Sequence, residues 1–258
     1  NETQAQARHP ACGLKMAELI GAEGFDRDIL FNPSPWRELI MTQNELFDPA
    51  TLYDISDRLR REFHHGHMPN RKMPEIPREN WHTDLLAPYL SKTIGYDLPC
   101  LISADRTARG RIMLCAQDPK REGDEPILSV GTFFGIDSDY HRCRRHWGMI
   151  WQLIRRCVFS GYDVWATDAV KLYAGRNVIR KDRALRELCF SVIRQEVEAF
   201  QPDRILAIGN DARDALVAAG TQSPVVHVVH PTARGLTGPF KDRLELYWEA
   251  LGGNALTA

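Results

Sequence analysis

The sequence predicts an α/β fold, a three-layer αβα sandwich around a four-stranded parallel sheet, with a helical extension at its N-terminal side. Two observations lead to this prediction. From residue 111 onward, short runs rich in β-branched residues alternate with longer segments of helical periodicity, which is the pattern of βαβ units. Before residue 98, the recognisable patterns are a helical one and a Pro-rich stretch without a clean period.

The N-terminal third is predicted to be a helical and loop extension over residues 1–98. ATLYDISDRLRREF (50–63) places Leu52, Ile55 and Leu59 on one face of a helix. HHGHMPNRKMPEIPREN (64–80) is predicted to be a loop or ordered connector because its prolines interrupt any regular element. The α/β domain is then expected to occupy residues 99–258.

Four strands and four helices follow in order along that domain. The strands are expected at RIMLCAQ (111–117), DVWATDAV (163–170), DRILAIG (203–209) and PVVHVVH (224–230). The helices are expected at 140–159, 182–200, 211–219 and 241–251. Helices between successive parallel strands cover both faces of the sheet, which gives the three layers.

Composition excludes several classes of protein. The 258 residues are 43% hydrophobic and 26% charged, which is typical of a globular protein and not of a disordered or fibrous one. No run approaches the ~20 apolar residues that a membrane helix needs, and residues 1–10 are polar rather than signal-like. A cytoplasmic protein without membrane contact is expected. The formal net charge of −1 alone argues against a nucleic-acid binder.

Cysteines and histidines do not predict a metal site. The six cysteines are Cys12, Cys100, Cys115, Cys143, Cys157 and Cys189. They form no CxxC pair, so free buried thiols are expected. HHGH at 64–67, with His9 and Cys12, could be read as a metal site, but clustered histidines in a Pro-flanked loop are more often surface residues. No metal and no cofactor are expected.

Polar side chains follow each predicted strand at the point where it ends. Because the carboxyl ends of parallel strands meet at one edge of an open α/β sheet, these side chains are expected to lie together. They are Gln117 and Asp118, Asp168 with Lys171, Asn210, and His230 with Thr232. Two carboxylates, a histidine and a lysine at one edge predict a catalytic site.

Four motifs in this order resemble the uracil-DNA glycosylase superfamily over residues 111–240. CAQDPKREGD resembles the first motif, a Gln-Asp-Pro turn, and HPTARGLTG resembles the second, a His-Pro-Ser/Thr turn with a small loop. ATDAVK and PDRILAIGNDA resemble the strand segments between them. The resemblance implies a metal-free DNA glycosylase that acts on DNA and needs no protein partner.

The resemblance also implies roles for individual residues. Breaking an N-glycosidic bond builds positive charge on the sugar and negative charge on the departing base. Asp118 is expected to stabilise the sugar cation and to orient or activate water, while His230 hydrogen-bonds the base oxygen and Gln117 binds the base. The alternatives are a turn aspartate before Pro119 and a core histidine that closes a strand.

Two departures from the family pattern bear on the base. Asp168 stands where the family has the Asn that reads uracil, and an ionised carboxylate only accepts hydrogen bonds, which favours the N4 amino group of cytosine. Lys120 stands where strict uracil enzymes often have Tyr, which leaves room for a C5 substituent. Together they predict a C5-modified cytosine, such as a hydroxymethylated or glucosylated base of phage DNA, and an antiviral defence role.

DNA contacts are expected around this edge. Phe133 or Phe134 is the candidate platform for the flipped base, although both could be core residues, and Arg234 and Leu236 are the candidate wedge. Lys171, Arg176 and Thr232 are expected to contact DNA. Residues 140–186 carry eleven Arg or Lys against three Asp, a net charge of +8, so the overall −1 conceals a basic segment.

Three other functions remain open or disfavoured. The first is a uracil-DNA glycosylase of base-excision repair, with Asp168 protonated or one position out of line. The second is a catalytically silent member that binds DNA. A nucleotide-dependent α/β enzyme is disfavoured because no Gly-rich phosphate loop follows the first strand. An iron-sulfur cluster is disfavoured because Leu172 stands where a second ligand beside Cys189 would follow.

Overall fold

A computed structural model describes residues 28–33, 46–63, 73–138, 141, 145–233, 238–253 and 256. The strands are β1 (Leu30–Pro33), β2 (Ile94–Leu98), β3 (Cys100–Ser103), β4 (Gly110–Ala116), β5 (Leu128–Thr132), β6 (Tyr162–Asp168), β7 (Leu172–Tyr173), β8 (Arg204–Ile208) and β9 (Val225–Val228). The helices are α1 (Pro49–Phe63), α2 (Thr83–Leu86), α3 (Arg145–Phe159), α4 (Val178–Lys181), α5 (Arg183–Phe200), α6 (Asn210–Ala219) and α7 (Phe240–Ala250). Short 3-10 turns cover Arg78–Asn80, Ala87–Tyr89 and Phe133–Gly135.

The main sheet has six strands in the order β1-β3-β6-β4-β8-β9. The four predicted strands are its parallel part, β6-β4-β8-β9. The prediction of a four-stranded, purely parallel sheet is corrected, because β3 joins β6 in the antiparallel direction and β1 joins β3 in the antiparallel direction. Both added strands have four residues, too few for a clear alternating pattern in the sequence.

A second, three-stranded sheet has the order β5-β2-β7. Strand β2 pairs with β5 in parallel and with β7 in the antiparallel direction. The sequence did not predict this sheet. All residues of β2 and β5 are buried, and their sequences, IGYDL and LSVGT, mix apolar with polar residues and glycine, so they show no amphipathic alternation.

Alternating side chains of the parallel strands separate two hydrophobic cores. Ile112 and Leu114 of β4 belong to the larger core, whereas Met113 and Cys115 of the same strand belong to the smaller one. The smaller core contains residues of α5 and α6, and the larger core contains residues of α1, α3 and α7. Successive strand residues point to opposite faces, so helices cover both faces, as the predicted three-layer architecture requires.

Residues on both sides of position 98 contribute to this framework. Strand β1 extends the main sheet through its pairing with β3. Helix α1 buries Leu52, Ile55, Leu59 and Phe63 in the larger core, and the Phe63 ring stacks on Phe31 with the centroids 4.5 Å apart. The helix predicted over 50–63 is therefore confirmed.

Two further expectations, on the cysteines and on membrane helices, can be compared with the described residues. Cys100, Cys115, Cys157 and Cys189 are free and buried, as predicted, while Cys12 and Cys143 lie outside the described residues. Among the described residues, no helix has the length and apolar character to cross a bilayer.

Candidate active site

The carboxyl ends of the parallel strands bring three of the predicted polar positions, Gln117, Asp168 and His230, to one edge of the sheet. Asp168 lies opposite Ala116 in the β6–β4 register, and the next residue, Gln117, accepts a backbone hydrogen bond from Val170 at 3.0 Å. Gly209, directly after β8, lies between Gln117 and His230. A Cβ atom built on this glycine would be 3.7 Å from Gln117 Oε1 and 3.7 Å from His230 Cβ. The predicted edge is thus assembled from β6, β4, β8 and β9.

Asp118 is a half-buried carboxyl group in this edge. Burial raises the pKa of Asp118 to about 6, and the negative charge of Asp211 adds to the rise. The charges of Arg180 and Lys120 and a hydrogen bond from Gln117 act in the opposite direction. Asp118 is therefore ionised at neutral pH and becomes protonated under mildly acidic conditions.

His230 is held as a neutral imidazole with a defined tautomer. Burial lowers its pKa to about 4. The backbone N–H of Thr232 donates to Nδ1 at 3.3 Å, and the Thr232 hydroxyl lies 2.9 Å from the same nitrogen. Because Nδ1 accepts a hydrogen bond, the proton of the neutral ring resides on Nε2. The side chain can therefore offer an Nε2–H donor without a positive charge.

Of the two candidate stacking residues, the structure places only Phe134 beside the site. Its ring stacks on the His230 ring, with the centroids 5.7 Å apart and the planes 18° apart. Phe133 is fully buried in the larger core and meets Phe134 edge-on. Phe134 has φ 51° and ψ 18°, a left-handed conformation that is unfavourable for an aromatic residue. Such strain is common at functional sites, and it is what directs this ring to His230.

Asp168 is buried, and 4% of its surface is exposed. Burial raises the pKa of its carboxyl group well above the ordinary value, and the charges of Asp97 and Asp118 add to this effect. Lys171 and Arg121 oppose it. These surroundings favour the protonated form of Asp168, in contrast to the expectation of an ionised, acceptor-only carboxylate. A carboxylic acid has one donor and one acceptor.

The prediction that Lys171 contacts DNA is wrong. Its side chain is 1% exposed, and Nζ forms ion pairs with Asp97 at 3.0 Å and with Glu196 at 2.5 Å. Nζ also donates to the Thr167 hydroxyl, and Glu196 accepts from the Trp165 indole at 2.9 Å. The Lys171 ammonium group therefore already has three partners inside the protein and cannot contact a phosphate.

The remaining predicted residues lie at the surface or outside the described part. Lys120 is exposed and pairs with Glu122 at 3.1 Å, while Arg176 and Thr232 are exposed. Arg234 and Leu236, the candidate wedge, lie outside the described residues, as do Arg142 and Arg144 of the basic segment and the histidines at 64–67.

Several charges of the basic segment are already compensated within the protein. Arg156 pairs with Glu245 at 2.6 Å, Arg183 pairs with Glu187 at 2.8 Å, and Arg180 pairs with Asp211. Arg145, Arg176, Lys181 and Arg186 are exposed. The positive charge open to solvent is therefore smaller than the sequence count of +8.

Four charged residues that act on the site carboxyl groups were not among the predicted site residues. Asp97 and Arg121 act on Asp168, while Asp211 and Arg180 act on Asp118. Asp211 follows β8 directly after Asn210, so the end of that strand could have indicated it. Asp97 lies in the unpredicted strand β2, and no signal in the sequence marks it.

Within the described residues, no group of three or more His, Cys, Asp or Glu is arranged to hold a metal ion. The chemistry available here comes from a carboxylate at Asp118, a neutral imidazole at His230, the buried carboxyl group of Asp168 and the aromatic face of Phe134. This set can stabilise a cation, donate hydrogen bonds to an oxygen and bind a flat ring.

Comparisons with known proteins give structural neighbours only. No protein-family model and no curated protein matches the chain. Among solved structures, a point mutant of UNG from Nitratifractor salsuginis is similar at 14% identity and a TM-score of 0.35, covering 95% of this chain and 98% of that one. The wild-type UNG of the same organism is similar at 15% identity and a TM-score of 0.34, covering 92% and 94%. Likeness at this level carries no argument about function.

Proposed function

We propose that the protein is a hydrolase of N-glycosidic bonds, and specifically a DNA glycosylase that leaves an abasic site. The observation that carries the proposal is the presence of two complementary groups at one edge of the sheet. One is the Asp118 carboxylate, ionised at neutral pH. The other is the neutral His230 imidazole with its proton on Nε2. Cleavage develops positive charge at the sugar and negative charge on the base, and these groups match the two charges.

The reaction follows from these roles. The bond between C1′ and the base nitrogen breaks, and its electron pair leaves with the base. The Asp118 carboxylate stabilises the cationic sugar and accepts a proton from the water that adds to C1′. The Nε2–H of His230 donates to the base oxygen on which negative charge accumulates. The ring of Phe134, beside His230, supplies a face on which a flipped base stacks.

The base proposed as substrate is a cytosine type. A protonated Asp168 accepts a hydrogen bond from the N4 amino group and donates one to N3, which matches the cytosine edge with two hydrogen bonds. As the base departs, the Asp168 proton passes to N3 and cancels the charge left by the broken bond. Asp168 becomes a carboxylate and regains its proton from solvent when the base leaves.

A polar C5 substituent on that cytosine is supported by Lys120. This residue occupies the position after Asp118-Pro119, is 64% exposed at its side chain, and pairs with the exposed Glu122. Such a surface ion pair contributes little, about 0 to 1 kcal/mol, so a hydroxyl-bearing substituent can replace it. Hydroxymethylated or glucosylated cytosine of phage DNA has this chemistry, and its excision would serve antiviral defence.

A uracil glycosylase is the second candidate function, and it is favoured by the same protonated Asp168. A carboxylic acid also pairs with uracil, because it accepts from N3–H and donates to O4.

The test is release of bases from DNA that contains uracil, cytosine, hydroxymethylcytosine or glucosylated hydroxymethylcytosine, read by mass spectrometry. Alkaline strand cleavage confirms the abasic product, and Asp118→Ala is the matched inactive control. Release of the modified cytosine supports the full proposal. Release of uracil alone supports the second candidate, and DNA binding without release of any base contradicts both and indicates a binding protein.

A further inference from the structure

Arg121 is a partly buried residue that has no role in the reaction above. It follows Lys120 in the turn after β4, and its guanidinium lies over one face of the small sheet. Nε donates to the Ser129 hydroxyl of β5 at 3.0 Å. Nη1 donates to the backbone carbonyls of Pro119 at 3.1 Å and of Lys120 at 2.9 Å. One side chain thus ties the turn that begins with Asp118 to strand β5.

The small sheet has a slot for this side chain. Gly95 of β2 and Gly131 of β5 lie on the same face as Asp97 and Ser129, because Gly95 pairs with Ser129 and Asp97 pairs with Gly131. A Cβ atom on Gly131 would collide with Arg121 Nη2. A Cβ atom on Gly95 would collide with the Pro119 carbonyl and lie 2.8 Å from Arg121 Cγ. The two glycines are therefore needed for close approach of the turn and its arginine.

The charge of Arg121 is set among acidic groups. Burial lowers the pKa of its guanidinium, and Asp168, Asp97, Asp137 and Asp118 oppose that effect, in this order of size. Within the described residues, Nη2 of Arg121 and Oδ1 of Asp97 are buried and have no hydrogen-bond partner. The guanidinium is therefore fixed by Nε and Nη1 and acts on the neighbouring carboxyl groups through its charge.

Charged groups from three segments act on Asp168. Oδ2 of Asp97 in β2 accepts hydrogen bonds from Lys171 Nζ at 3.0 Å and from the Asp168 backbone N–H at 3.1 Å. Asp97 and Asp118 oppose ionisation of Asp168, while Lys171 and Arg121 favour it. Of the two cations, Lys171 already pairs with two carboxylates. Arg121 is therefore the cation whose replacement is expected to change the charge that acts on Asp168.

We propose that Arg121 is a positioning residue of the candidate site, which fastens the turn that carries Asp118 to the small sheet and holds a fixed positive charge beside Asp168. The effect on catalysis rests on the proposed glycosylase function. The structural part of the proposal, which is the fastened turn and the action of the Arg121 charge on Asp168, does not depend on that function.

The first experiment compares single-turnover base release over a pH range for wild type, Arg121→Lys, Arg121→Met and the exposed control Arg60→Met. Arg121→Met removes the guanidinium hydrogen bonds and the positive charge, so the rate of base release falls at least about ten-fold. The alkaline limb of the pH–rate profile, on which Asp168 loses its proton, moves to higher pH. Arg121→Lys keeps the charge, so the rate falls while the alkaline limb stays in place. Equal rates and limbs in all four proteins overturn the proposal.

The second experiment tests the slot through Gly131→Ala. The new methyl group displaces the guanidinium and lowers the rate of base release when Arg121 is present. In Arg121→Met there is no guanidinium to displace, so Gly131→Ala causes no further loss of rate. The two losses are therefore strongly non-additive. Additive losses contradict the proposal. Thermal unfolding of each variant identifies any that does not fold, and Arg121→Lys then carries the test.

A third measurement separates this proposal from the proposed function. The Asp168 carboxyl carbon, assigned by its absence in Asp168→Asn, is titrated by ¹³C NMR in wild type and in Arg121→Met. Its pKa rises in Arg121→Met even if no DNA base is ever released, in which case the glycosylase function fails and the role of Arg121 stands. Base release with an unchanged Asp168 titration gives the reverse result.

Discussion

The rings of Phe134 and His230 are stacked, with their centroids 5.7 Å apart and their planes 18° apart. The Phe134 backbone adopts a left-handed conformation to place its ring there. The two side chains come from opposite ends of the α/β part of the chain, one after β5 and the other after β9. Their contact joins the small sheet to the edge of the main sheet at the point where a base would enter.

Phe134→Leu is expected to lower kcat/KM for base release by about 5- to 150-fold, because stacking of a base on an aromatic ring contributes about 1 to 3 kcal/mol. Phe134→Asn should lose activity in the same way, because Asn tolerates the left-handed conformation but has no aromatic face. Base-release kinetics measure both variants, with the exposed Phe159→Leu as control. Activity of both variants equal to that of wild type would show that the Phe134 ring does not hold the base.

Asp118→Asn is expected to abolish base release while DNA binding persists, because the sugar cation loses its carboxylate. The same variant should be more stable than wild type at neutral pH, by about 1 to 2 kcal/mol. The reason is that the folded-state pKa of about 6 lies above the unfolded value, so the stability contributed by protonated Asp118 is lost as pH rises through about 6. Unfolding in urea at pH 5 and pH 7.5 tests this, with the exposed Asp214→Asn as control. A stability gain that is equal at both pH values would contradict it.

Base release by the wild type should increase with pH on a limb centred near the Asp118 pKa of about 6. His230 does not contribute to this limb, because burial lowers its pKa to about 4 and the ring is already neutral. His230→Gln should therefore be slower and keep the same limb. Measurement of the single-turnover rate from pH 4.5 to pH 9 tests the assignment. Disappearance of the limb in His230→Gln would assign it to the histidine instead.

Asp168→Asn is expected to move base selection toward uracil. An amide pairs well with the N3–H and O4 of uracil but has no proton to transfer to N3 of cytosine. The ratio of uracil to cytosine-type base released from a mixed DNA substrate measures the change. An unchanged ratio would show that Asp168 does not read the base.

Lys171→Met is expected to destabilise the protein by about 3 to 5 kcal/mol, because it leaves Asp97 and Glu196 buried without their counterion. The DNA affinity of the folded fraction should be unchanged. Arg176→Ala, exposed in the same basic segment, should do the opposite, leaving stability unchanged and reducing the salt slope of DNA binding by about 1. Urea unfolding and salt-dependent DNA titrations distinguish the two variants. A stable Lys171→Met with weakened DNA binding would restore its predicted phosphate contact.

The parallel part of the main sheet could be predicted from the sequence because its strands alternate with helices of clear periodicity. Leu206 and Ile208 of β8 enter one core while Ile205 and Ala207 enter the other. Helix α5 begins directly after Asp182, the first residue of the predicted helix, and the Asp182 side chain accepts from the Leu185 backbone N–H at 3.1 Å. Strands β1, β2, β3, β5 and β7 could not be predicted, because their pairing depends on contacts distant in sequence.

The candidate site was also predictable only in part. Gln117, Asp118, Asp168 and His230 could be placed together because they end successive parallel strands. A protonated Asp168 was one alternative from the sequence, but the cause of its raised pKa, burial beside Asp97 of β2, could not be predicted. Lys171 was assigned to DNA because it lies in the basic segment 140–186 directly after the strand that carries Asp168, whereas its two carboxylate partners come from β2 and α5.

The pairing of β1 with β3 determines how the chain can be shortened. β1 covers the outer edge of β3 along a four-residue register, from Leu30 opposite Ser103 to Pro33 opposite Cys100. Removal of residues 1–98 would leave the edge of β3 uncovered, with unpaired backbone donors and acceptors and the buried Cys100 beside them. Such an edge is a template for intermolecular strand addition, so the short N-terminal strand protects the sheet from aggregation.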